Sequence, residues 1–153
     1  MILETEKALE CLNSGGILIY PSDTLWAIGC DATNTEAIDK IYKIKNRNPS
    51  MPFICLMNDF KMTNRYVKTS KEIKNYLKRS SNPTTVIYND VKNLKAFPES
   101  IAIRIPKDKF FLTIPVSLTL GNTTNTVPST PSIPYHQISF YGTKPYHHWV
   151  QLN

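Results

Sequence analysis

Apolar positions recur at helical spacing over residues 3–13, where Leu3, Ala8, Leu9 and Leu12 form one stripe. Asn13, Ser14, Gly15 and Gly16 follow, the residue types that end a helix and let the chain turn. Ile17 to Tyr20 is a short unbroken apolar run, with the length and composition of a buried strand. Pro21 has no N–H and is expected to stop that strand's ladder. Ser22, Asp23 and Thr24 then place three small polar groups just past a strand end, where ligands sit in open α/β sheets. Leu25 to Cys30 is a second apolar run, and Thr33 and Glu36 have capping-box spacing, so a helix is expected to start there. Ala37, Ile38, Ile41, Tyr42 and Ile44 are its predicted inner face, and Lys45 and Arg47 lie just beyond it. Pro49 and Pro52 bracket a loop before a core strand at Phe53 to Met57. A helix is expected over 69–78, opened by Thr69 and Ser70 with Glu72 in its first turn. Strands are expected at Thr84 to Tyr88 and at Ile101 to Ile105, the latter ended by Pro106. Alternating strands and helices argue for an α/β fold.

Composition changes this picture at one place. All 12 acidic residues lie at or before Asp108, and Lys144 is the one cation after Lys109, against 18 Lys and Arg in the whole chain. The same tail holds five of the 11 prolines and all three histidines, and no helical or strand period is legible in it beyond Phe111 to Leu120. The expected organisation is therefore a domain over 1–109 and a divergent tail over 110–153, read as frame-shifted or otherwise aberrant. At 153 residues one domain is the prior, and 41% hydrophobic residues allow a sizeable core.

Charge and cysteine usage narrow the class. A net charge of +6 favours an anionic partner such as a nucleotide or RNA, as a bias rather than a site. Cys11, Cys30 and Cys55 are odd in number and widely spaced, which fits buried thiols better than a disulfide framework or a zinc motif. His136, His147 and His148 have neither helical spacing nor a nearby carboxylate, so no metal ligands are assigned. No apolar run reaches the length of a membrane span. The opening MILETEKALE carries three glutamates and is unlike a signal or transit peptide, so a cytoplasmic location without membrane association is expected.

Three segments carry a family resemblance. Tyr20-Pro21-Ser22-Asp23-Thr24-Leu25-Trp26-Ala27-Ile28-Gly29-Cys30-Asp31-Ala32 resembles the YPTDTVYGLGCDA signature of the YrdC-type threonylcarbamoyl-AMP synthase family. Lys45-Asn46-Arg47-Asn48-Pro49-Ser50-Met51-Pro52-Phe53 is similar to that family's K-x-R-x-x-x-K-P-[LF]. Ser100-Ile101-Ala102-Ile103-Arg104-Ile105-Pro106 resembles its [ST]-x-A-x-R-x-P. A fourth, Ser81-Asn82-Pro83-Thr84-Thr85-Val86-Ile87, resembles P-G-P-x-T-x-[IV], with Asn82 for glycine; asparagine tolerates the left-handed angles such a turn would need. The family's S-T-S-A-N segment has no counterpart in the tail.

The resemblance implies a twisted, mixed, open sheet with flanking helices and a concave basic face. It implies condensation of L-threonine, bicarbonate and ATP, with Mg²⁺, into threonylcarbamoyl-AMP and pyrophosphate, for threonylcarbamoyl (t6A) modification of tRNA adenosine 37. By the same resemblance Thr24 and Arg104 would meet L-threonine, and Lys45, Arg47, Met51 and Ser100 would line the nucleotide site; no catalytic side chain is assigned. There is no Walker motif, so side chains must hold the phosphates. Lys45 and Arg47 suit this, since a guanidinium binds two oxygens at once. Taken alone, each of these residues has a plainer reading: a solvated basic loop for Lys45 and Arg47, and a turn residue for Thr24.

Met51 stands where the family commonly has lysine, Trp26 where tyrosine is usual and Ala27 where glycine is usual. Loss of a cation at 51 is expected to weaken ATP binding, so the enzyme is read as impaired in this copy. Two rival readings are a double-stranded RNA or tRNA-binding module without catalysis, and an inactive fragment. Other tRNA-modification proteins are expected partners.

Overall fold

A computed structural model describes residues 2–21, 26–50, 53–107, 118–122 and 138–140. The chain opens with α1 (Ile2–Asn13), which buries Ala8 and Leu12. Its end is a Schellman cap. Gly15 sits at φ 74, its N–H bonds the Leu12 carbonyl at 3.0 Å, and the Gly16 N–H bonds the Cys11 carbonyl at 2.8 Å. A Cβ at Gly16 would lie 2.7 Å from the Cys11 carbonyl oxygen, so the second glycine is needed for close approach.

Strands β1 (Ile17–Pro21) and β2 (Trp26–Gly29) form an antiparallel pair with Ile19 opposite Ile28. Pro21 is the last residue of its strand, opposite Trp26, as its missing N–H requires. Helix α2 (Thr35–Ile44) starts one residue later than capping-box spacing suggests. Asp31 Oδ1 accepts from both the N–H and the hydroxyl of Thr33 at 2.8 Å, which occupies that hydroxyl. Asn34 caps the helix instead, its Oδ1 accepting from the Ala37 N–H at 3.0 Å. Ala37, Ile38, Ile41 and Ile44 are buried as the period predicts, whereas Tyr42 is only half-buried. Each fully buried isoleucine contributes roughly 1.5–3 kcal/mol relative to an exposed one.

After β3 (Ile54–Leu56) comes α3 (Phe60–Thr63), capped by Asp59. Helix α4 (Lys71–Arg79) is capped by Ser70 and buries no residue. Strands β4 (Thr85–Asn89) and β5 (Ser100–Arg104) follow, with β6 (Leu118–Asn122) and β7 (Ile138–Phe140) beyond them. The seven strands form one sheet in the order β4-β5-β3-β6-β2-β1-β7. It is mixed: β3–β5 and β1–β7 are parallel and the other neighbours antiparallel.

Strand β6 joins the two halves of this sheet. It pairs with β3 through Thr119 opposite Cys55, and with β2 through Gly121 opposite Ile28. Both β6 and β7 lie past residue 109, where composition changes.

Alternation along the strands divides the core. Ile17, Ile28, Cys55, Ile101 and Ile103 pack with α2 on one face. Leu18, Tyr20, Ala27 and Leu56 pack with Ala8 and Leu12 of α1 on the other. Among the described residues no helix is long and apolar enough to cross a membrane.

Candidate functional site

The loop after α2 gathers two cations. Lys45 is the helix's last cap, its N–H bonding the Ile41 carbonyl at 2.9 Å. Asn46 takes φ 45, a left-handed angle that asparagine accepts. That reversal returns the Arg47 N–H to the Tyr42 carbonyl at 3.0 Å. The Arg47 guanidinium lies over the Phe53 ring, and Phe53 in turn packs against Tyr42 with centroids 4.5 Å apart. Lys45 is half-buried, and burial first, then the nearby Arg47 charge, pulls its ammonium below the ordinary lysine range. An anion held here would relieve both effects. Burial raises the Tyr42 phenol, an effect that the Arg47 charge opposes.

Arg104 closes β5. Its carbonyl accepts from the Met57 N–H at 3.0 Å, and its side-chain Nε–H donates to Thr85 Oγ1 at 3.1 Å. Ile101 and Ile103 of β5 are buried with α2, so Ser100, Ala102 and Arg104 stand on the opposite face, which α1 shares. Leu56, Arg104 and Thr85 make one row across β3, β5 and β4. Ser100 and Arg104 share that face at opposite ends of β5, roughly 13 Å apart at about 3.3 Å per residue. Lys45 and Arg47 reach the sheet differently, from a loop whose Phe53 anchor belongs to the core on the α2 side. Thr24 and Met51 lie outside the described residues.

The segment 80–84 does not use the left-handed angle expected at Asn82, which is not among the described non-glycine residues at positive φ. Hydroxyls shape it instead: Ser80 and Thr84 both donate to the Asn82 carbonyl, at 3.2 and 3.0 Å. Lys107 Nζ donates to the Ser80 carbonyl and ties this turn to the chain leaving β5. A shallow hollow of about 580 Å³ beside it is lined by Glu72, Tyr76, Arg79 and Asn82, among others, and by none of Lys45, Arg47, Ser100 and Arg104.

The Cys30 thiol is a poor nucleophile. Cys30 and Cys55 are buried, and burial pushes the Cys30 thiol far up, with Asp31 and Cys55 adding to the shift. Burial likewise holds the Tyr20 phenol in its neutral form. No three His, Cys, Asp or Glu side chains gather as metal ligands among the described residues, and His136, His147 and His148 lie outside them.

Two residues escape a reading by motif alone. Phe53 carries Arg47, and Thr85 holds Arg104. Both stand inside recognisable segments, but their role is a cross-chain contact that a linear pattern does not display.

The domain is α/β, an open mixed sheet with helices on both faces, a cationic loop after α2 and an arginine at a strand end. The family described as telomere recombination, Sua5/YciO/YrdC, matches residues 10–135, and the chain belongs to that family. It is 35% identical over 69 residues to the threonylcarbamoyl-AMP synthase of Moraxella catarrhalis strain BBH18, covering 45% of this chain and 34% of that one. The match thus spans about a third of that curated relative's length. In fold it is similar to P. abyssi Sua5 complexed with L-threonine, at TM-score 0.72 and 16% identity over 90% of this chain and 46% of the other. It is similar also to E. coli YciO, at TM-score 0.70 and 18% identity over 91% of this chain and 77% of the other.

Proposed function

We propose that this chain is a threonylcarbamoyl-AMP synthase domain that condenses L-threonine, bicarbonate and ATP, for t6A modification of tRNA in the cytoplasm. The observation that carries the reading is the Lys45–Arg47 loop, where the reversal at Asn46 brings a half-buried lysine and an arginine stacked on Phe53 into one turn. Such a pair is poised for phosphate. Similarity to curated synthases and to a Sua5 that holds L-threonine supports the choice of substrates.

In this reading the threonine amine attacks the carbon of bicarbonate and water leaves. A carbamate oxygen then attacks the α-phosphorus and the bond to pyrophosphate breaks. Lys45 and Arg47 neutralise the phosphates from the loop on the α2 side; Arg104, on the sheet's other face, and Thr24 are given the amino-acid carboxylate by the family resemblance. Ser100 and Met51 lie toward the nucleotide. These residues act by positioning and charge neutralisation rather than by proton transfer. Among the described residues no group of three His, Cys, Asp or Glu side chains gathers to hold Mg²⁺.

Methionine at 51 makes this copy a weak ATP binder. A pyrophosphate-release assay with ATP, bicarbonate and either L-threonine or L-serine tests the reading. Release that depends on L-threonine supports it. Micromolar RNA binding with a steep salt slope and no ATP turnover would instead favour the RNA-binding module, to which the net charge of +6 points.

A further inference from the structure

We propose that Thr85 is the positioning residue for Arg104, holding its guanidinium in the plane in which it meets a substrate carboxylate. The carboxylate part of this inference rests on the reading under Proposed function; the hold itself rests on geometry. Thr85 and Arg104 are register partners in the antiparallel β4–β5 pair, so sheet pairing alone sets them side by side on one face. Thr85 Oγ1 accepts from Arg104 Nε at 3.1 Å, and both residues are half-buried.

The chemistry of the bond explains its use. A guanidinium carries five N–H donors in one rigid plane. Anchoring Nε fixes that plane relative to the sheet, because the remaining donors cannot rotate independently of it. A guanidinium whose plane is already set gives up less side-chain entropy when it binds a carboxylate. The residue before Thr85 is itself held: Thr84 Oγ1 donates to the Asn82 carbonyl at 3.0 Å, as Ser80 Oγ does at 3.2 Å. Lys107 then fastens Ser80 to the segment just past Arg104. The acceptor and the arginine therefore belong to one braced corner of the sheet.

Two variants of the full chain separate this role from packing. Thr85→Val keeps the β-branched shape and removes the acceptor; Thr85→Ser keeps the hydroxyl and removes a methyl group. Hydrogen exchange of the Arg104 Nε–H, followed by NMR without ligand, should be at least severalfold faster in Thr85→Val than in wild type and near wild type in Thr85→Ser. The L-threonine dissociation constant should rise about tenfold in Thr85→Val and change less than about twofold in Thr85→Ser. Equal exchange in wild type and Thr85→Val would overturn the hold. Equal weakening of L-threonine binding in both variants would show that shape, not the hydrogen bond, matters. Wild type that fails to bind L-threonine would overturn the substrate assignment and the carboxylate role with it, while the exchange comparison still reads the Thr85–Arg104 contact separately.

Discussion

The Arg47 guanidinium carbon sits 5.0 Å from the centroid of the Phe53 ring. Phe53 is almost fully buried, so a core residue fixes the position of a loop cation. A ring face attracts a cation through its quadrupole, an effect that grows when the pair is shielded from water. The family's loop thus carries its own support, six residues after the arginine that it steadies.

Phe53→Leu keeps an apolar side chain but removes the ring. It should cost about 1–2 kcal/mol of stability through the smaller core volume. It should also weaken ATP binding roughly threefold, because Arg47 loses its platform. Urea unfolding and calorimetric titration on the same preparations would check both, and an unchanged ATP dissociation constant would mean that the stack does not order Arg47 for phosphate.

Lys45 gives a pH signature. Its folded-state pKa is lowered by burial and by Arg47, so the folded protein loses that proton before the unfolded chain does. Between the lowered value and the ordinary 10.5 the unfolded state binds more protons, and stability from this group rises with pH. Lys45→Met should remove that rise and make the ligand-free protein slightly more stable near neutrality, while weakening ATP binding. The difference between wild-type and Lys45→Met unfolding curves from pH 8 to 11 isolates the effect from other lysines and tyrosines. A difference that stays flat across this range would contradict it.

Much of this was legible in the sequence because the core is periodic. Ala37, Ile38, Ile41 and Ile44 mark α2, and the alternation of Ser100 to Arg104 marks β5. The short elements were not legible. Helix α3 has four residues, a single turn, and its one signal is Asp59, whose Oδ1 accepts from the Met62 N–H at 2.6 Å. Strand β7 has three residues, too few to show alternation. The cap of α2 shifted because Asp31 captures the Thr33 hydroxyl, a competition that spacing alone does not reveal. The site was legible as motifs and not as geometry. Lys45, Arg47, Ser100 and Arg104 fall where a linear pattern suggests, but which sheet face each serves depends on register.

The boundary expected at residue 109 meets a topological fact, since β6 links β3 to β2. A chain ending at Lys109 lacks that backbone link, and its two half-sheets are left to side-chain packing in the two core clusters. It should lose cooperative unfolding and bind a hydrophobic dye. Cooperative unfolding of residues 1–109 alone would support an independent domain. Translating the gene in all three frames downstream of codon 109 tests the frame-shift proposal separately: absence of an S-T-S-A-N-like peptide from both other frames would sink it.

At Gly16 a new Cβ would meet Cys11 Sγ at 2.4 Å and the Cys11 carbonyl oxygen at 2.7 Å. The backbone partner cannot move without breaking the cap. Gly16→Ala should therefore destabilise the protein by about 2 kcal/mol or more, measurable by thermal or urea unfolding. A shift below about 0.5 kcal/mol would show that α1 can end differently.

Restoring a cation at position 51 should help ATP. A thioether has no proton to donate and no charge, whereas an ammonium offers both. Met51→Lys should tighten ATP–Mg²⁺ binding about tenfold, with less gain at high salt. An unchanged dissociation constant in a folded variant would mean that position 51 does not face the nucleotide.

Carbon can be followed from bicarbonate into product. Wild type and Met51→Lys are incubated with carbon-labelled bicarbonate, ATP–Mg²⁺ and L-threonine, and the nucleotides are resolved by mass spectrometry. A threonylcarbamoyl-AMP synthase should give a labelled threonylcarbamoyl-AMP that requires all three substrates and is more abundant with Met51→Lys. L-threonine bound by the folded protein, yet no labelled adduct from either form, would contradict it.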